Sequence, residues 1–272
     1  MSGLMTGGRA PAPGKIPYSL MCVVQNALAF AWRDLLKQVN AGQFEICGTD
    51  EDIITEQLYM ILCELHATES EAVGGFDLVE TPIREGNLRN CNGKRPDCQP
   101  DLTFRPVRGQ VPTANSALTG IFVECKPIDA AHPVPSCYCA EGLVRFVRGD
   151  YAWAVDRALM VGYVRNHCRL PEGLNACVRN DVREQRYHSL GPLIASAPSR
   201  MGDPVHLSRH ERQFPSDCVP APPITLHHLW LHPAEPCERS RCRGYPAGKE
   251  TSRRPNDRGA DVESASSPYG SR

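Results

Sequence analysis

Apolar residues recur at helical spacing early in the chain. Leu20, Val24, Leu28, Trp32, Leu35 and Val39 share one face, while Arg33, Asp34 and Lys37 fall elsewhere. The pattern predicts an amphipathic helix from about residue 16 to 40, with Pro17 suited to its first turn. "YSLMCVVQNALAFA" also has the form of a secretory h-region, yet Gln25 and Asn26 interrupt it and the periodicity runs on past the A-x-A site. A second helix is predicted over "GTDEDIITEQLYMILCELHA", with Thr49 or Asp50 as N-cap and a stripe of Ile54, Leu58, Ile61 and Leu65. Strand composition follows at 74–86, in "DLTFRPV" (101–107), in "TGIFVECKPI" (119–128) and in "ITLHHLWL" (224–231). Residues 141–167 carry the strongest helical pattern, divided at Gly149, with Asp150 capping the second part. Ala154, Ala158 and Gly162 give that part a small-residue stripe for close packing on the sheet. Residues 169–223 are rich in Arg and Pro and show weak periodicity.

The order helix, helix, strand, strand, strand, helix, strand is that of a mixed α/β domain. It is expected to span 16–232, between a flexible lead-in at 1–15 and a disordered tail at 233–272. With 272 residues, 41% hydrophobic and 22% charged, a packed core is expected. A net charge of −1 excludes a uniformly basic coat, so any nucleic-acid surface is a local patch. The thirteen cysteines are odd in number, and Cys22, Cys63, Cys125 and Cys168 sit inside apolar runs. Buried free thiols fit that placement and point to a reducing cytoplasm. No stretch reaches the ~18 apolar residues of a membrane span.

Within this apolar pattern, one strand raises a chemical question. In "TGIFVECKPI", Glu124 and Lys126 are two apart and so point to the same face, with Val123 and Cys125 turned the other way. A hairpin turning near Pro112–Thr113 sets Asp101 opposite Glu124, with Cβ atoms ~5 Å apart. Two carboxylates that close repel unless a cation lies between them. A hard divalent ion such as Mg²⁺ suits that role, with Lys126 beside it to orient or deprotonate water and to screen a phosphate. Such a set fits phosphodiester hydrolysis. Glu51 lies about 20° from Leu58 on the second helix and is a candidate third metal ligand; alternatively it serves only the helix N-terminus. Glu64 is a second choice, and Glu56 points to the solvated side.

"PD" at Pro100–Asp101 followed by "ECK" at 124–126 resembles the PD-(D/E)xK signature of the restriction-endonuclease-like nuclease superfamily. The resemblance covers about 45–231. It implies an αβββαβ core with a mixed central sheet flanked by helices, and Mg²⁺-dependent cleavage of DNA, with Mn²⁺ able to substitute. It makes Asp101 and Glu124 metal ligands and Lys126 the catalytic lysine. A second "PD" at Pro96–Asp97 lies in a polar loop, so Asp101 is preferred. In such nucleases the helix after the E-x-K strand often contacts the scissile phosphate, which makes Arg145, and then Arg148, candidates for binding nucleic acid. Tyr151, Trp153 and Tyr163 read as core. The resemblance also implies a genome-defence or mobile-element setting, beside a helicase or recognition subunit. One alternative is a non-catalytic nucleic-acid- or protein-binding module of the same fold. Another is a zinc-stabilised structural protein built on His227, His228, His232, Cys237 and Cys242, or on Cys91, Cys98, Cys137 and Cys139. Neither set has the usual paired C-x₂-C spacing, and His227 and His228 read first as strand residues.

Overall fold

The computed structural model describes residues 14–68, 70–112, 118–184, 186–214, 222–234 and 237. Both N-terminal helices form where their apolar spacing requires. Helix α1, Tyr18–Asn40, buries Leu20, Val24, Leu28, Trp32 and Leu35. Helix α2, Glu51–Thr68, buries Ile54, Leu58, Ile61 and Leu65. The Ile54 N–H donates to the Asp50 carbonyl at 3.2 Å, which places the helix start at Asp50, while the Thr49 hydroxyl donates back to the Glu45 carbonyl at 2.6 Å. No helix among the described residues is long and apolar enough to cross a membrane.

The strands are β1 (Ile83–Arg84), β2 (Leu102–Phe104), β3 (Ile121–Ile128), β4 (Arg157–Val164), β5 (Ile194–Ala195), β6 (Val205–His210) and β7 (Ile224–Leu231). They form one mixed sheet in the order β1-β2-β3-β4-β7-β6-β5. The central pairs β3–β4 and β4–β7 are parallel, and the outer pairs are antiparallel. Between β3 and β4 runs a π-helix, Val134–Leu143, that continues into α3, Val144–Arg148. Helix α4, Leu170–Glu184, follows β4. Helices cover both faces of the sheet. Tyr163 of β4 stacks on Trp32 of α1 (centroids 5.6 Å apart, 2° between planes) and meets Thr55 of α2 at 3.1 Å. On the other face Trp230 of β7 lies edge-on to Tyr138 of the π-helix.

The helix expected over 141–167 is corrected. Gly149, at φ 74°, ends α3 with a left-handed cap, and the second half is strand β4. Strand β4 has parallel neighbours on both sides, so its sequence is a near-continuous apolar run whose periodicity does not separate strand from helix. The small-residue stripe has a different meaning from the one expected. Ala158 and Gly162 share a strand face, and a Cβ at Gly162 would lie 2.7 Å from Ile128 and 2.8 Å from Trp230. The close approach is to neighbouring strands of the same sheet. Asp150 caps nothing; it pairs with Arg95 at 3.0 Å. The strand composition at 74–86 yields only a 3₁₀ turn, Phe76–Leu78, and the two-residue β1. Helix α4 and strands β5 and β6 come from the weakly periodic 169–223 stretch.

Both zinc sets are corrected as well. His227 and His228 are adjacent on β7 and therefore face opposite layers. His227 Nδ1 is 2.7 Å from Gln25 of α1, while His228 is 3.0 Å from the Tyr138 hydroxyl and 2.7 Å from Ser208. The two rings cannot share an ion. Cys237 is bonded to Cys47, and Cys242 lies outside the described residues. Cys91 of the second set is also in a disulfide and so offers no thiolate. The four cysteines in apolar runs, Cys22, Cys63, Cys125 and Cys168, are free thiols, of which Cys125 is buried.

The Cys47–Cys237 bond closes a sequence separation of 190 residues, and it anchors a residue expected to lie in the disordered tail. Cys237 is 7% exposed, and its N–H donates to the Arg165 carbonyl at 3.0 Å. Cross-linking residues this distant constrains the unfolded chain, so Cys47→Ser should lower the unfolding free energy by about 2–5 kcal/mol in urea titrations. Truncation after His232 should cost a similar amount. Adding Cys47→Ser to the truncated chain should then cost nothing further; a second full loss would show that the bond is not the link that matters.

Candidate active site

Alternation along β3 carries Glu124 and Lys126 onto the face beneath the π-helix. That helix can lie close because position 142 is glycine: a Cβ there would sit 2.8 Å from Met160 Cε, 3.3 Å from Lys126 Cγ and 3.5 Å from Glu124 Cγ. Asp101 directly precedes β2. The β2–β3 register pairs Leu102 with Val123, and one further step sets Asp101 beside Glu124. The expected turn at Pro112–Thr113 falls partly outside the described residues, but the register on either side is the one that turn requires. Asp101 Oδ2 is fixed by the Cys125 N–H at 2.6 Å. Glu51, the first residue of α2, reaches in from the helix N-terminus.

These groups converge on the Lys126 ammonium. Its Nζ lies 2.6 Å from Glu51 Oε1, 3.1 Å from Glu124 Oε1 and 4.0 Å from Asp101 Oδ2. Arg145 of α3 reaches Glu124 Oε1 at 3.1 Å, and the Tyr151 hydroxyl donates to Glu124 Oε2. Glu124 itself is fully buried. A cleft of about 1020 Å³ opens beside the cluster, lined among others by Glu51, Asp52, Asp101, Lys126, Asp129 and Arg145.

Three carboxylates face two cations here, so the cluster balances when one carboxyl keeps its proton. Burial and the neighbouring Asp101 push Glu124 up to about 7, against the pull of Lys126, Arg145 and the Tyr151 hydroxyl. Burial also raises Asp101 and Glu51, and Lys126 opposes it in both. For Lys126 burial favours the neutral amine, but Glu124, Asp101 and Glu51 together outweigh it and hold the ammonium above its ordinary range. Arg145 is raised in the same way, burial being outweighed chiefly by Glu124.

The structure thus brings Glu51, Asp101, Glu124, Lys126 and Arg145 together. It leaves out Arg148, Asp97 and Glu64, which are exposed away from the cleft. Glu56 is exposed and pairs with Arg84. Tyr163 and Tyr151 are buried, as core residues should be, but Tyr151 also serves Glu124, which its aromatic character alone does not announce. Asp129 and His132 line the cleft too. Their only trace in the sequence is an acid three residues before a histidine, just past the E-x-K strand. Hard oxygen donors suit a divalent cation of the Mg²⁺ class, and the carboxylates of Glu51, Asp101 and Glu124 are donors of that kind, although Glu124 Oε1 already faces Lys126 and Arg145 at 3.1 Å. Among the described residues no three metal-binding side chains already converge on one point; the Lys126 ammonium stands where their charges meet. Comparison with protein-family models, with curated proteins and with solved structures finds no match.

A carboxyl raised from 4.5 to about 7 adds stability that is present below 4.5 and lost as pH rises through about 7. Glu124→Gln lacks that loss. In chelator-treated protein, the melting temperature of the variant minus that of the wild type should therefore increase from pH 5 to pH 8. A constant or shrinking difference would mean that Glu124 is ionised throughout this range.

Proposed function

We propose that this chain is a divalent-cation-dependent nuclease that hydrolyses phosphodiester bonds in DNA, built on a restriction-endonuclease-like αβββαβ core. The observation that carries the reading is the meeting of Glu51, Asp101, Glu124 and Lys126, from three separate segments, at one cleft. The order α2, β1, β2, β3, α3, β4 also agrees with that core. Asp101 and Glu124, with Glu51 as a third donor, would hold the cation. A Mg²⁺ ion, or Mn²⁺ in its place, supplies a Lewis acid for the phosphoryl oxygen and a lowered pKa for water. Lys126 is held as an ammonium, so its part is to donate to phosphate oxygens and balance their charge, not to take a proton. Arg145, 40% exposed at the cleft, offers the second cation to the phosphate.

A genome-defence or mobile-element setting, a helicase or recognition subunit, and a cytoplasmic location belong to this proposal. The buried free thiols Cys98, Cys125, Cys139 and Cys177 support the last, whereas the Cys47–Cys237 bond calls for conditions that keep it oxidised. One observation favours a second reading, a non-catalytic module of the same fold. Glu124 is fully buried, with Tyr151, Lys126 and Arg145 on its two oxygens, as in a purely structural ion network.

Cleavage assays separate the two. Asp101→Ala and Glu124→Ala should each abolish Mg²⁺-stimulated nicking of supercoiled plasmid while the fold persists. Lys126→Ala should bind Mn²⁺ as well as or better than wild type by calorimetry, since it removes a competing cation, yet turn over at least ~10²-fold more slowly. Wild-type protein that neither binds Mn²⁺ nor nicks DNA would establish the structural network instead.

A further inference from the structure

Just past β3, Asp129 gathers four donors. Its Oδ1 accepts from the backbone N–H of Ala131 at 2.8 Å and of His132 at 2.9 Å, and from His132 Nδ1 at 2.9 Å. Its Oδ2 lies 3.3 Å from Arg165 NH1. Arg165 is almost fully buried and also donates to the Thr49 carbonyl. Burial works against the Asp129 carboxylate, but the His132 ring and these N–H groups outweigh it and hold the group below its usual range.

An ionised carboxylate only accepts, so His132 Nδ1 must carry a proton. That assigns the tautomer and leaves Nε2 as the exchanging nitrogen; it makes no hydrogen bond among the described residues. The ring is 42% exposed and lines the same cleft as Lys126 and Asp101. A carboxylate that orients an imidazole lining a cleft, with its far nitrogen left unbonded, is an arrangement suited to a proton donor. Lys126 and Arg145 are poor proton donors, because both are held firmly protonated by carboxylates.

We propose that His132 is the acid that protonates the leaving oxygen, with Asp129 as its positioning residue. The proposal rests on the nuclease reading. In the step, the oxygen of water bonds to phosphorus and the bond from phosphorus to the sugar oxygen breaks. The Nε2 proton passes to that oxygen, the water releases a proton to solvent, and the neutral imidazole is reprotonated from solvent.

Two substrates test it in Mn²⁺: plasmid DNA, whose alkoxide leaving group needs a proton, and bis-p-nitrophenyl phosphate, whose phenolate leaves without one. His132→Gln should slow DNA cleavage ~10²-fold or more while changing the p-nitrophenyl ester only a few-fold. Asp129→Asn should act in the same direction, and nitrogen NMR should show His132 losing its fixed Nδ1–H tautomer. Thermal melts of both variants confirm the fold, with His132→Asn in reserve should the glutamine variant not fold. Equal slowing on both substrates, or no slowing on DNA, would overturn the role of His132 alone. A wild type inactive on both substrates would overturn the nuclease reading and this role with it.

Discussion

A lone carboxylate at the position of Glu124, fully buried on β3 between an antiparallel and a parallel neighbour, would lose several kcal/mol of hydration. The Lys126 ammonium, two residues along the same strand face, is what offsets that cost, and much of the surrounding architecture follows from accommodating the pair. Gly142 lets the π-helix lie directly above both side chains. The first residue of α2 turns its carboxylate toward the ammonium instead of only toward its own helix terminus. Tyr151 and Arg145 occupy the oxygens of Glu124 from the segment that follows. The cluster is one coupled unit, in which removing a single partner strands charge on the others.

The wall of the cleft opposite α3 is held by a second set of ties. Arg165, at the end of β4, joins Asp129 after β3 to the carbonyl of Thr49 before α2. Cys237 donates to the Arg165 carbonyl and is bonded to Cys47. The loop that delivers Glu51 is thereby fixed at both Cys47 and Thr49. Such preorganisation matters for any chemistry at this cleft, since groups that must act together need their geometry set beforehand. It also explains why acids from three segments tolerate proximity: each is held by a donor before any ligand arrives.

The same rigidity is a constraint on the proposed nuclease. Lys126 already neutralises the carboxylates that would hold a cation, so an incoming ion competes with an internal one. That competition predicts modest cation affinity and a response to the charge at position 126, and it places the catalytic and the purely structural readings on one scale of binding strength. Glu124, raised to about 7 by burial and by Asp101, shows that without such an ion a proton on one carboxyl helps to balance the cluster.

Local pattern determined much of this protein from the sequence alone. Helices α1 and α2, strand β7 and the core of β3 follow from periods of 3.6 and 2, and the same period of 2 places Glu124 beside Lys126. The hairpin arithmetic likewise sets Asp101 next to Glu124. Tertiary structure decided what local pattern leaves degenerate. Residues 157–164 became a strand because parallel neighbours on both sides satisfy a continuous apolar run that a buried helix would satisfy equally well. Strands β5 and β6 and helix α4 carry too little periodicity to declare themselves and take their form from what they pair with or cover. The Cys47–Cys237 bond, the Tyr151–Glu124 contact and the role of Arg165 join residues far apart in the chain, and no spacing rule encodes such meetings. They exist only once the sheet order brings the ends of β3, β4 and β7 to one side.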